Sequence, residues 1–286
     1  MAEPAKKCWQ FTIAGIRIQI TSEKPVTAHG AWEKFTSSFD TPDLNFHIDY
    51  AENLPFRGEN FSVRTERTAV SADGKTRFYY NPGAGDLTAC CLESEPGRTC
   101  ITVSRAYAPW GENVNDLFQQ YALPRSFPRF GRMFLHCSYI LAHGSAILFT
   151  APSGTGKTTQ ALLWRDAYGT PVVNGDCAVL CAPESTLFAC GLPLSGSSAD
   201  CFNLTSPVRA IVSLGQAGEN SLSRLSGVDA VRVILSGTYL PQEFSEEFPR
   251  LFDLAARFAK LVPVYRLDCL PDRSAAELLY KELFHI

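Results

Sequence analysis

Residues 145–168, SAILFTAPSGTGKTTQALLWRDAY, restrict the fold more than any other stretch of the chain. An apolar run ends in Ala151-Pro152-Ser153 and crosses Gly154 and Gly156. At Lys157 it turns into a helical pattern, with Ala161, Leu162 and Trp164 on one side, that stops before Gly169. Strand, glycine loop and helix in that order point to an α/β fold. Residues 151–158, APSGTGKT, fit G-x-x-x-x-G-K-[ST] with Ala151 at the first place. That position mainly turns the chain out of the strand, which alanine also manages. Gly154 and Gly156 let backbone N–H groups converge on an anion, and the helix start adds its positive dipole end. Ser153, Gly154, Thr155, Gly156, Lys157, Thr158 and Thr159 are therefore candidate phosphate-binding residues. Lys157 supplies a mobile charge for β- and γ-phosphates, and Thr158 offers a hydroxyl to Mg²⁺. The bland alternative is an ordinary strand-to-helix turn.

A phosphate loop of this kind needs an acid for the metal. Asp176, at the end of TPVVNGD, is the candidate. The β-branched run before it reads as a buried strand beside the loop strand. The carboxylate there would hold Mg²⁺ or accept a proton from a substrate hydroxyl. Asn-Gly is also a strong turn signal, so a plain turn aspartate is the competing reading.

Composition closes off other classes. The chain has 286 residues, 45% hydrophobic and 19% charged, enough for a substantial core and one or two domains. A net charge of −3 without a cationic stripe argues against a nucleic-acid binder. The start, MAEPAKKCWQ, lacks the apolar region of a secretory signal, and the longest apolar run, CSYILAHGSAILFTAP, is too short to span a bilayer. A soluble, cytoplasmic protein without a membrane partner is expected. The 10 cysteines show no C-x-x-C pair, so reduced thiols are favoured over disulfides or zinc.

Residues 1–105 read as a β-rich N-terminal domain, a small antiparallel sheet with turns at Ala14-Gly15 and Asp73-Gly74 and a hairpin around EPGR. No catalytic cluster stands out in it, so a structural or recognition role is expected. Residues 106–130 read as a connector, partly helical at ENVNDLFQQYAL. Residues 131–286 form the P-loop nucleotide-binding domain. There GVDAVRVILSGTYL, EFPRLFDLAARFAKL and DRSAAELLYKELF read as helices, the last capped by Asp272, and VRAIVSLGQ and VPVYRLDCL as strands.

LHCSYILAHGSAILFTAPSGTGKTTQALLW followed by VVNGD resembles the catalytic domain of HPr kinase/phosphorylase, a family that shares its P-loop fold with phosphoenolpyruvate carboxykinase. The resemblance covers roughly residues 130–286, and residues 1–105 do not look like that family's N-terminal domain. The SGTGKTT string is also carried by the carboxykinases. The family has a histidine on the strand upstream of the loop, and His136 stands at its spacing. Short HPr-kinase-like proteins, some of them peptide kinases of lasso-peptide maturation, share the NGD and a G-x-P-x-x-G segment, here Gly191 to Gly196.

The resemblance implies a Mg²⁺-dependent kinase that moves a phosphoryl group from ATP, or GTP, to a hydroxyl of a peptide, protein or small molecule. Lys157 and the loop would hold the phosphates, Thr158 and Asp176 the metal. Asp176 would act as base, with His136 beside the transferred group. A packed histidine on an apolar strand is the alternative for His136. HPr kinases carry two adjacent aspartates where this chain has Gly175-Asp176, so one carboxylate must serve twice or Asn174 must help. That departure opens the alternative of a non-catalytic nucleotide-binding accessory protein, for example in peptide maturation. A carboxykinase is disfavoured because the chain is short and lacks that family's further metal and oxaloacetate motifs. Ser195, Ser197 and Ser198 are candidate substrate contacts or a plain turn, and Arg209, Arg224 and Arg232 are unassigned cations. HPr kinases are hexamers, so homo-oligomerisation is left open.

Overall fold

The computed structural model describes residues 7–27, 30–55, 60–112, 126–194, 201–238 and 247–285. It is a mixed α/β structure with two eight-stranded sheets. Two compact units divide the chain between Ser126 and Phe127. Among the described residues no helix is long and apolar enough to cross a membrane.

The first unit holds β1 (Lys7–Ile13), β2 (Ile16–Ser22), β3 (Leu44–Ala51), β4 (Phe61–Arg64), β5 (Thr68–Ser71), β6 (Thr76–Tyr80), β7 (Leu87–Glu95) and β8 (Arg98–Ser104). Ala14 and Gly15 both take positive φ, 51° and 79°, which matches the twist of β1 and β2 and closes a two-residue hairpin. The expected small antiparallel sheet is corrected. The order is β1-β2-β3-β8-β7-β6-β5-β4, and β3 runs parallel to both β2 and β8. The reason lies in residues 23–43, which are too long for a hairpin. They cross over with a 3₁₀ turn at Trp32–Phe35 whose Trp32 and Phe35 are buried. Trp32 meets Phe11 edge-on at 5.1 Å. Where the crossover rejoins the sheet, Arg17 grips Asp43 through Nε and Nη2, at 3.0 and 2.8 Å.

Of the expected connector, Arg105–Tyr107, Ala108–Gly111 and Phe127–Phe130 are short helical turns. Most of ENVNDLFQQYAL lies outside the described residues.

The second unit holds β9 (Arg132–Ala142), β10 (Ser145–Thr150), α1 (Lys157–Tyr168), β11 (Val172–Asn174), β12 (Cys177–Cys181) and β13 (Phe188–Cys190). They are followed by β14 (Thr205–Gln216), β15 (Ser221–Leu225), α2 (Gly227–Ser236), α3 (Phe248–Leu261), β16 (Val264–Cys269) and α4 (Arg273–Phe284). Its sheet runs β10-β9-β12-β13-β14-β16-β15, and β10 also pairs with β14 in parallel. That extra pairing closes β10, β9, β12, β13 and β14 into a ring. β14 manages this by length: residues 205–207 pair with β13, and later residues pair with β10 on one side and β16 on the other.

Helices cover both faces. Ala230, Ile234, Leu251, Ala255 and Phe258 of α2 and α3 share a core with Leu135, Leu148 and Ile211. Ala161 and Trp164 of α1 and Ala276 and Leu279 of α4 share another with Ile147, Phe149 and Val212. α1 ends where Gly169 turns left-handed at φ 67°. α4 begins at Asp272, whose carboxylate accepts from the Ser274 N–H at 3.0 Å.

Candidate functional site

The strand β10 delivers the loop. Ala146, Ile147, Leu148 and Phe149 are fully buried, because helices cover the sheet on both sides. The chain then leaves the sheet through residues 151–156. Gly154 stands at φ 79° and Gly156 at φ 120°, a backbone conformation that L side chains rarely adopt, with open space at either Cβ position. Conformation rather than room therefore demands glycine here. The methyl of Ala151 packs against the α1–α4 core, which gives the unusual first residue a structural use.

Lys157 opens α1 and is only 8% exposed. Its Nζ donates to the carbonyls of Ala151 at 3.0 Å and Pro152 at 3.5 Å, across the start of its own loop. Burial lowers its pKa, opposed by the negative charge of Asp176. Ser153, Gly154, Thr158 and Thr159 face solvent, and Thr155 and Gly156 are half-buried. Gln216, at the end of β14, donates to the Gly154 carbonyl at 3.4 Å.

The structure brings His136 and Asp176 together: Nε2 of His136 lies 3.4 Å from Oδ1 of Asp176, both side chains about half exposed. The hydrogen bond from His136 lowers the carboxyl pKa. Burial opposes this, and the charges of His136 and Lys157 lower it further. The route by which Asp176 arrives differs from expectation. Its strand does not lie beside β10; β11 pairs with β9, and β9 stands between β11 and β10. His136 sits on that intervening strand, opposite Cys177. The hydrophobic run gave a strand but not its neighbour, since pairing partners are set by tertiary packing.

Asn174 plays a part that the sequence did not signal. It is fully buried. Its Oδ1 accepts from the N–H groups of Asp176 and Cys177 at 2.9 and 3.0 Å. Its Nδ2 donates to the carbonyls of Leu192 and Leu194 at 3.2 and 2.7 Å. The side chain is thus spent on holding the turn, not turned outward as a ligand. Ser138 adds a bond to the Gly175 carbonyl at 3.1 Å, and the Cys137 N–H one to the Asp176 carbonyl at 3.0 Å. On the other side, the His136 N–H bonds the Gly237 carbonyl at the end of α2, at 2.7 Å. A Cβ at Gly237 would lie 2.6 Å from Thr150 Oγ1, so only glycine allows this approach.

Of the unassigned arginines, Arg209 donates to the Leu283 carbonyl at the end of α4, and Arg232 pairs with Asp229 on the surface of α2 at 2.9 Å. Arg224 lies on β15 opposite Tyr265. The cation at the strand ends is instead Arg266. It is held by Asp268 at 2.7 Å and by Ser213, the β14 residue opposite Thr150. Ser195, Ser197 and Ser198 lie outside the described residues.

The first unit also gathers polar groups that no local sequence signal joins. Thr21, His47 and Cys100 stand side by side on β2, β3 and β8. Thr21 Oγ1 meets His47 Nδ1 at 2.9 Å, and His47 Nε2 meets Asp49 at 3.0 Å. Thr21, His47 and Cys100, with Asn45 and Arg98, line a cavity of about 290 Å³. All 10 cysteines are free, and among the described residues no metal-holding group of three His, Cys, Asp or Glu gathers.

No protein-family model matches the chain, and no curated protein matches it. Among solved structures it has a weak likeness to the Hpr(Ser) kinase/phosphatase from Coxiella burnetii. That likeness is 12% identical and covers 53% of this chain and 93% of the other, with a TM-score of 0.30.

Proposed function

We propose that the second unit is an HPr-kinase-like phosphotransferase, which binds a Mg²⁺–nucleoside triphosphate, ATP or GTP, on the 151–158 loop and passes a phosphoryl group to a hydroxyl-bearing acceptor. The observation that carries this reading is the pairing of Asp176 with His136 at 3.4 Å, two groups from separate elements. Lys157 stands at the loop, and its positive charge helps to hold the Asp176 carboxyl below its ordinary pKa.

In this reading the loop N–H groups and Lys157 grip the phosphates, Lys157 exchanging its two loop carbonyls for phosphoryl oxygens. The Asp176 carboxylate, ionised at neutral pH, accepts the proton of the acceptor hydroxyl. His136 orients that carboxylate. Thr158 and Asp176 offer a hydroxyl and a carboxylate oxygen, the hard donors that Mg²⁺ takes, so the residues fit the ion. When bound, it neutralises charge on the phosphates. The acceptor is a peptide, protein or small molecule, and no role for nucleic acid or a membrane enters.

Calorimetry with Mg²⁺ and ATP or GTP tests the first half. Binding is expected, and Lys157→Ala should weaken it about 10- to 100-fold, the worth of a charged hydrogen bond. No binding by the native chain overturns the reading. Binding without transfer to any of a broad acceptor panel favours the accessory role instead, for which the single carboxylate at Gly175-Asp176 speaks.

A further inference from the structure

Two strands along from the loop strand β10, the same sheet holds a pair of thiols that the proposed reaction does not use. Cys181 ends β12 and Cys190 ends β13. Val179 pairs with Cys190 and Cys181 with Phe188, so the two cysteines are diagonal neighbours on one face of an antiparallel pair. Their sulfurs are 3.8 Å apart. Neither takes part in a disulfide. Arg132, on β9, stands directly opposite Cys181. The two thiols are not equivalent. The hydrogen bond from Cys190 and the positive charge of Arg132 lower the Cys181 pKa, while the same bond and burial raise that of Cys190. Burial opposes the lowering at Cys181; its place directly opposite the Arg132 cation makes Cys181 the nucleophile of the pair and Cys190 the resolving partner.

We infer that Cys181 and Cys190 form an oxidisable dithiol, a modification site that a small hydroperoxide converts to a disulfide between β12 and β13. The burial restricts the oxidant: with 6% and 3% of the two residues exposed, the pair offers no surface thiol to a bulky disulfide, and the inference is confined to a small oxidant. The Cys181 thiolate attacks an oxygen of hydrogen peroxide. The O–O bond breaks, and Cys181 becomes a sulfenic acid as hydroxide leaves and takes up the thiol proton to give water. The Cys190 sulfur then attacks the Cys181 sulfur, the S–O bond breaks, and a second water leaves with the Cys190 proton. Two thiols are oxidised and one peroxide is reduced to two waters.

The site has a structural address. β12 starts beside Asp176, and β13 leads to the Leu192 and Leu194 carbonyls that hold Asn174. A disulfide there ties together the two strands between which the Asn174 bracket is slung.

The test uses the full chain, reduced and then exposed to hydrogen peroxide under native conditions, alkylated and digested. A peptide pair joined through Cys181 and Cys190 is expected, reversed by dithiothreitol, with an intact mass about 2 Da lower per disulfide. In a Cys190→Ser variant the reaction should stop at a Cys181 sulfenic acid, captured by dimedone. The inference is overturned if no such link forms at peroxide doses that oxidise the exposed Cys8. It is equally overturned if Cys181 in the variant captures no more dimedone than the fully buried Cys137.

Discussion

The two sheets have the same number of strands, and the central strands of each that flank its polar groups differ in burial rhythm. In the first unit, β2 and β3 alternate strictly between buried and half-buried residues. In the second, β10 and β12 are buried almost without interruption. An alternating strand has one face in a core and one toward solvent, whereas a continuously buried strand needs cover on both faces. The second sheet has that cover in α1 and α4 on one side and α2 and α3 on the other. The consequence is chemical. Double cover holds β10 and β9 in place, so that β10 can present the loop at its end and β9 can hold His136 against Asp176, which stands in the turn between β11 and β12. The first sheet instead offers a half-solvated face, on which Thr21, His47 and Asp49 form a hydrogen-bonded row.

If that contrast is functional, the largest effect belongs to Asp176. Asp176→Asn should lower phosphotransfer by about 10²- to 10⁴-fold, the usual worth of a positioned base. His47→Ala in the first unit should leave transfer unchanged. Transfer assays on both variants would break the comparison if the two results were exchanged.

Next come the buried indoles. Trp32 and Trp164 are both fully buried. Each exchanged for alanine should cost about 3–5 kcal/mol in chemical denaturation. Only Trp164→Ala should also weaken nucleotide binding, since Trp164 sits in α1 behind the loop and packs with Tyr168 and Tyr280 at 5.4 and 5.8 Å. Equal loss of binding in both variants would remove the distinction between the units.

A smaller effect is expected at two glycines, one in each unit. A Cβ at Gly191 would lie 1.9 Å from the Phe202 carbonyl oxygen, and one at Gly97 would lie 2.8 Å from that of Asp43. Gly97 also stands at φ 80°. Alanine at either site should cost about 1–3 kcal/mol, measured by denaturant melts. Gly191→Ala should in addition slow transfer, because Phe202 bonds Val173 at 3.1 Å beside the Asn174 bracket.

The smallest effect is a pH dependence shared by both units. The Arg17 guanidinium holds the Asp43 carboxyl below its usual range, as His136 does that of Asp176. A carboxyl whose folded pKa is depressed contributes stability that is complete above its unfolded value, about 3.9, and lost as pH falls through the folded one. Melts of native protein, Asp43→Asn and Asp176→Asn across the acid range should show each variant with a shallower acid-side loss than the native chain. A slope unchanged by either exchange would refute the pairing.

Much of the second unit was readable from the chain. Apolar runs marked β10, β14 and β16, periodicity marked all four helices, and Asp272 marked the start of α4. Each is a local signal, carried within one turn or one strand. The parallel placement of β3 was not readable, because alternation in LNFHIDYA defines a strand and leaves its neighbours open. The same limit misplaced the strand before Asp176. Asn174 looked like half of a turn signal, and its four hydrogen bonds depend on Leu192 and Leu194 reaching it from elsewhere in the fold. A charge in VPVYRLDCL carries no local signal, and Arg266 gains its meaning only when β14 and β16 lie side by side.

The length of β14 has a dynamic consequence. Through Ile211, Val212 and Ser213 it is paired on both sides at once, to β10 and to β16. Its amides alternate between the two neighbours, the Ile211 N–H bonding the Pro263 carbonyl on the β16 side at 3.2 Å, so exposing all of them requires both neighbours to leave. Local fluctuations of the kind that release an edge strand therefore leave this segment shut, and its hydrogens exchange with solvent only when the whole second unit opens. Their exchange rate reads the global stability of that unit directly, while the edge strand β15 reports only its own fraying.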